Sequence, residues 1–170
     1  MIRVYTSCTK SYLPKARVVA SSLKEHHPDW YVLLVFSDLL PSTFDVASEP
    51  FDAVLTLDDM DIADKEQWTF THNVVELCTA VKGFALQHLL RMENTDAVFY
   101  LDPDIWVLSP FDSLVSLFES HDVLLTPHLL EPETEKWDIH AKEIVTTLAH
   151  GVFNLGFVGV KNSEAGHAFA

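Results

Sequence analysis

The chain has 170 residues, 48% of them hydrophobic, and its 25 Asp and Glu residues outweigh 11 Lys and Arg for a formal charge of −14. That length and apolar content suit one core of ordinary size, and the acidity argues against nucleic acid or an anionic membrane as partner, since both are held through clustered Lys and Arg. An anionic ligand here would call for a divalent cation, which makes carboxylates useful for binding phosphate.

In chain order, residues 2–7 form a β-rich run and residues 8–11 are polar. Residues 13–27 carry Leu13, Ala16, Val19, Ala20 and Leu23 at helical spacing. Residues 31–36 and 53–57 read as further strands. The run of Asp58, Asp59, Asp61 and Asp64 reads as a solvated acidic loop without chemistry of its own. Residues 74–92 repeat apolar positions at helical spacing from Val74 to Leu89, with Asn73 as N-cap. Residues 97–101 and 122–126 are short strands flanking a short helix at 113–119. A helix over 135–149 closing at Gly151 precedes a strand over 153–160. Alternating strands and helices imply a mostly parallel sheet covered on both faces, an α/β sandwich whose ligands bind at the carboxyl ends of the strands.

Cys8 and Cys78 have neither C-x-x-C nor zinc-type spacing and read as reduced thiols. The opening MIRVYTSCTK enters a strand directly, and no apolar run reaches bilayer-spanning length, so a cytoplasmic protein without an intrinsic membrane segment is expected. Residues 163–170 read as the start of a helix that continues, which predicts a single domain over 1–170 cut short at its C-terminus.

The stretch FYLDPDIWV sets Asp102 and Asp104 between two apolar runs, just where a strand should end. An unpaired buried carboxylate is costly, so these two need partners. In extended backbone, residues two apart share a side, and Asp102 and Asp104 could converge on Mg²⁺ or Mn²⁺ shared with a diphosphate. An Asp-Pro turn with solvated carboxylates is the competing reading. LDPDIW also overlaps the strand-end nucleophile pattern of haloacid dehalogenase-like phosphohydrolases, although Trp106 stands where that pattern has Thr or Val.

FYLDPDIWVLSPF resembles the D-x-D segment of GT-A glycosyltransferases, and HGVFNLGFVGVKNS resembles the F-N-x-G-x strand of the glycosyltransferase family 8-like group. VYTSCTKSYLPKARVVASSL is similar to the nucleotide-binding strand, loop and helix of such enzymes, and the helix before the D-x-D strand carries Lys82 where the family often has a basic residue. The resemblance covers nearly the whole chain. It implies a GT-A-like (Rossmann-like) αβα sandwich with a central, mostly parallel or mixed sheet. It also implies a hexosyltransferase-like enzyme that moves a sugar, with retention, from a nucleotide-sugar donor, a UDP-sugar, to a carbohydrate, lipid or protein acceptor. Asp102 and Asp104 would hold Mn²⁺ or Mg²⁺, Lys82 would meet the diphosphate, and a further metal ligand, often His, would come from beyond residue 170. A non-catalytic nucleotide-sugar-binding or interaction domain is the rival function.

The same resemblance places Tyr12 near the uracil, and Thr6 and Ser7 at a strand end where they could hydrogen-bond the donor; a packed helix-entry tyrosine is the plain alternative for Tyr12. Asn154, polar within an apolar strand, needs a partner for its amide, either a backbone group or, as the resemblance favours, a sugar hydroxyl. No catalytic base or nucleophile stands out. Among nine histidines no metal-binding spacing appears: His26, His27 and His150 suit helix C-termini, and His128 reads as a surface-loop residue. His72, Glu76 and Thr79 lie on or near the Lys82 helix, where exposure explains them.

Overall fold

A computed structural model describes residues 1–131 and 134–170. The strands are β1 Ile2–Cys8, β2 Tyr31–Phe36, β3 Ala53–Thr56, β4 Ala97–Leu101, β5 Val123–Pro127 and β6 Phe153–Lys161. Among the described residues they make one sheet in the order β3-β2-β1-β4-β6-β5. The first four strands in chain order run parallel, while β6 is antiparallel to both β4 and β5. The predicted α/β sandwich with a mostly parallel sheet is what forms. β1, β2 and β4 are buried on both faces, which explains the unbroken apolar runs of β2 and β4, while β1 also buries the polar side chains of Arg3, Thr6 and Ser7.

Strand alternation divides the core in two. Val4, Cys8, Leu34, Phe36, Phe99 and Leu101 face helix α1 Leu13–His26. Tyr5, Leu33, Val35, Val98 and Tyr100 face the other side. There a short helix α2, Lys65–Phe70, contributes Trp68, and α3, Val74–Leu90, contributes Val81, Ala85 and Leu89. Sequence reading left α2 out because its acidic approach resembles a loop. In that approach Asp59 Oδ2 accepts from the Thr56 amide at 2.8 Å and hydroxyl at 2.7 Å, a local structural role. Asn73 caps α3 as expected: Oδ1 accepts from the Val75 and Glu76 amides at 3.0 Å each, and Glu76 returns a carboxylate to the Asn73 amide at 2.8 Å.

Helix α4, Asp112–Leu117, joins the α1 side through Leu114 and Val115. The single helix expected over 135–149 divides into α5 Lys136–Asp138, a π-helical segment Ile139–Val145 and α6 Thr146–His150, ended by Gly151 at φ +81°. A last helix, α7 Glu164–Phe169, starts at Ser163, whose hydroxyl accepts from the Gly166 amide at 3.1 Å.

His27 departs from the helix-dipole reading. It is 8% exposed, its ring stacks on Trp30 with centroids 3.8 Å apart, and Nε2 accepts from the Phe111 amide at 2.8 Å. The imidazole joins α1 to the segment leading into α4. Its acceptor role requires an unprotonated Nε2, and burial holds its pKa below the usual histidine value.

Candidate functional site

At the carboxyl ends of β1 and β4, between those strands and α3, lies a cleft of about 290 Å³ lined by Ser7, Tyr12, Cys78, Lys82, Tyr100, Asp102 and Asp104, among others. A more open depression sharing Thr9, Ser11 and Val74 continues it towards Ser37 and Asp38 at the end of β2. Because β6 runs against β4, its amino-terminal half reaches this same edge, which brings Asn154 and Gly156 beside Asp102.

Parity along β4 decides where Asp102 points. Val98 and Tyr100 face α3, and the next residue of that series is Asp102. Its Oδ1 accepts from the Tyr100 hydroxyl at 2.6 Å and from Lys82 Nζ at 3.1 Å. Lys82 also reaches the Leu155 carbonyl at 3.3 Å and lies 4.1 Å above the Tyr100 ring centre. The Asp102 side chain is 37% exposed and that of Lys82 19%, so this ion pair sits at the cleft wall rather than in bulk solvent. Burial first, then the Asp102 carboxylate, push the Tyr100 phenol far above its ordinary pKa, so it remains a donor.

The backbone between the two carboxylates is a turn, the conformation that the sequence left open beside an extended one. Ile105 N–H donates to the Asp102 carbonyl at 3.1 Å, with Pro103 in the second position of the turn. Both aspartates nevertheless line the cleft, Asp104 as an exposed side chain. Asp102 is further anchored through its amide, which donates to the Gly156 carbonyl at 2.8 Å.

Other residues singled out from sequence fall in several places. Ser7 lines the cleft, donates to the Cys78 carbonyl at 2.8 Å and lies 3.2 Å from the Tyr100 hydroxyl. Tyr12 lines the mouth and is 43% exposed, with Lys15 Nζ 4.2 Å above its ring. Thr6 is 1% exposed on the opposite face of β1, is not among the cleft-lining residues, and its hydroxyl has no hydrogen-bond partner among the described residues. Asn154 is exposed, and its Oδ1 accepts from the Gly156 amide at 2.8 Å, the backbone partner that sequence left open. His128 meets the Gly151 carbonyl through Nδ1 at 2.9 Å and is not among the cleft-lining residues. Cys8 and Cys78 are free thiols, and burial pushes Cys8 up to about 12.

Two residues that sequence reading did not single out shape the site, Tyr100 on the cleft wall and Gly156 beside Asp102. Tyr100 could have been found from its period-two relation to Asp102. Gly156 is needed because a Cβ there would stand 2.9 Å from both Asn154 Oδ1 and Asp102 Oδ2.

Among the described residues no group of three or more His, Cys, Asp or Glu side chains forms a metal cage. What the cleft offers is two carboxylates against one ammonium. Asp102 Oδ2 lacks a hydrogen-bond partner among the described residues and borders the space that Gly156 leaves by having no side chain. That donor set fits a hard divalent cation that takes its other ligands from outside the chain.

No protein-family model matches the sequence, and no curated protein matches it. Solved structures do. The galactosyltransferase LgtC, in complex with donor and acceptor sugar analogues, superposes with a TM-score of 0.53 at 14% identity over 94% of this chain. The glycosyltransferase GlyE of Streptococcus pneumoniae gives 0.55 at 16% identity over 98%. Core-mannan synthase A of Aspergillus fumigatus, in a Mn/GDP form, gives 0.54 at 10% identity over 99%. The chain spans 58%, 36% and 62% of these three chains, respectively. Its fold is the GT-A glycosyltransferase fold. Among the described residues no helix is long and apolar enough to cross a membrane.

Proposed function

We propose that this chain forms the nucleotide-sugar-binding part of a glycosyltransferase that uses a UDP-sugar and Mn²⁺ or Mg²⁺. The observation that carries the reading is the meeting of Asp102, Asp104 and Lys82 in one cleft at the carboxyl edge of a GT-A sheet. Cleaving a sugar–phosphate bond leaves a nucleoside diphosphate on which negative charge builds, and a site that stabilises that charge lowers the barrier. Asp102 Oδ2 and Asp104 would hold the cation, which supplies Lewis-acid neutralisation of the diphosphate when bound.

The chain's own residues account for the rest. Lys82, held over the Tyr100 ring, places a positive charge within reach of phosphate oxygens. Tyr12 offers an aromatic face at the mouth for the base, and Ser7 a hydroxyl on the cleft wall. The open depression beside Ser37 and Asp38 leaves room for a nucleoside. Asn154, exposed at the β6 end, can turn its amide nitrogen to a sugar hydroxyl while Oδ1 stays on Gly156.

The test is nucleotide release. The protein is incubated with Mn²⁺ and a panel of UDP- and GDP-sugars, with and without simple saccharide acceptors, and free nucleotide is measured. Release from a UDP-sugar that rises with acceptor supports transfer. Tight UDP binding with no release from any donor would replace transfer by a binding role.

A further inference from the structure

We propose that Tyr100 is a positioning residue for Asp102, its hydroxyl fixing one carboxylate oxygen so that the other faces the donor cleft. The proposal rests on the donor-site reading above. Hydrogen-bond accounting carries it. Tyr100 is 2% exposed and has one proton to give. Two oxygens lie in reach, Asp102 Oδ1 at 2.6 Å and Ser7 Oγ at 3.2 Å. The shorter contact is to the ionised group, and Ser7 sends its own proton to the Cys78 carbonyl at 2.8 Å. The phenolic proton therefore belongs to Asp102.

Lys82 joins the same oxygen at 3.1 Å, so both donors hold Oδ1 and neither holds Oδ2. Oδ2 is left against the gap at Gly156, 2.9 Å from where a Cβ would stand. A flexible lysine alone would let the carboxylate rotate about its last torsion. A phenol clamped in the core between β1 and α3, its ring 4.9 Å from that of Tyr5, does not. Groups that orient a metal-binding side chain in this way commonly account for about 10–100-fold in metal affinity.

The experiment compares the parent protein with Tyr100→Phe and Tyr5→Phe, the fold of each checked by circular dichroism. Tyr5 is the control: it is equally buried and donates to the Lys82 backbone carbonyl at 2.9 Å, but its hydroxyl makes no hydrogen bond to Asp102 among the described residues. Electron paramagnetic resonance of free Mn²⁺ measures manganese uptake with UDP, and calorimetry measures uridine without metal. Tyr100→Phe is expected to weaken manganese uptake with UDP by about 10–100-fold while uridine binding stays within about twofold. Tyr5→Phe should leave both within about twofold of the parent. Equal losses in the two variants would mean that Tyr100 acts through packing, and unchanged uptake in Tyr100→Phe would mean that the hydroxyl orients nothing; either overturns the inference alone. A parent protein that takes up no Mn²⁺ with UDP would overturn the donor-site reading and this inference with it.

Discussion

Gly156→Ala separates the cleft from the fold more sharply than any charge removal. The added methyl would lie 2.9 Å from Asp102 Oδ2 and from Asn154 Oδ1, closer than carbon and oxygen tolerate, so both side chains must move. Asn154 is exposed and yields easily at the expense of its 2.8 Å bond to the Gly156 amide. Asp102 is held by Tyr100 at 2.6 Å and Lys82 at 3.1 Å, and turning it strains both. Hydrogen bonds to a charged group are worth about 1.5–3 kcal/mol each, but a side chain 37% exposed is screened by water, which brings the combined cost nearer 1 kcal/mol. Replacing a strand glycine by alanine returns about 0.5–1 kcal/mol of backbone entropy. The two nearly cancel, so urea denaturation should show almost unchanged stability. Donor binding has no such compensation, because Asp102 Oδ2 is the displaced atom. UDP affinity in Mn²⁺, measured by calorimetry, should fall by about tenfold or more, or about 1.4 kcal/mol. A Gly156→Ala protein that binds UDP–Mn²⁺ like the parent would refute the placement of Oδ2 at the ligand.

Lys82→Met should weaken UDP by about tenfold yet leave uridine nearly unchanged, since the ammonium is proposed to meet phosphate and not the base; equal losses for the two ligands, measured side by side, would place Lys82's role in the fold. Acidification should destabilise the protein through His27. Burial lowers its folded-state pKa, so the unfolded chain takes up the proton first: the contribution is complete above about pH 6.5 and is lost as the pH falls towards the lower folded value. Urea midpoints between pH 7 and pH 5 should fall more steeply for the parent than for His27→Gln, and parallel slopes would remove His27 from the account.

Much of this architecture was legible because the strands that carry it are buried on both faces. Unbroken runs such as VLLV in β2 and AVFYL in β4 have no other stable use in an α/β chain, and the end of β4 put Asp102 at the ligand edge. Asn73 was readable because a cap is a local hydrogen bond set by neighbours within three residues. What escaped depended on distant partners. His27 looked like a helix-end histidine until Phe111, 84 residues on, supplied the amide it accepts from. Thr6 and Ser7 could not be separated without knowing which face of β1 meets α3. Gly156 acquires meaning only when antiparallel pairing lays β6 beside Asp102. The acidic approach to α2 is the exposed run without chemistry that the sequence indicated, its charges spent on local capping, Asp59 on Thr56, and on an ion pair between Asp58 and Lys65 at 3.2 Å; only the short helix after it went unread.

The central claim is that the Asp102–Asp104 pair binds a nucleoside diphosphate through a divalent cation, and calorimetric titration with UDP, with and without Mn²⁺, tests it most directly. The parent protein should bind UDP strongly only with Mn²⁺, and Asp102→Asn and Asp104→Asn should each abolish that metal-dependent part. The two variants should differ in stability: Asp104 is exposed and should cost almost nothing, whereas Asp102→Asn leaves Lys82 without its ion pair and should cost up to about 1 kcal/mol. UDP binding that is indifferent to Mn²⁺, or unaltered in both variants, would contradict the account and leave the two aspartates as a turn.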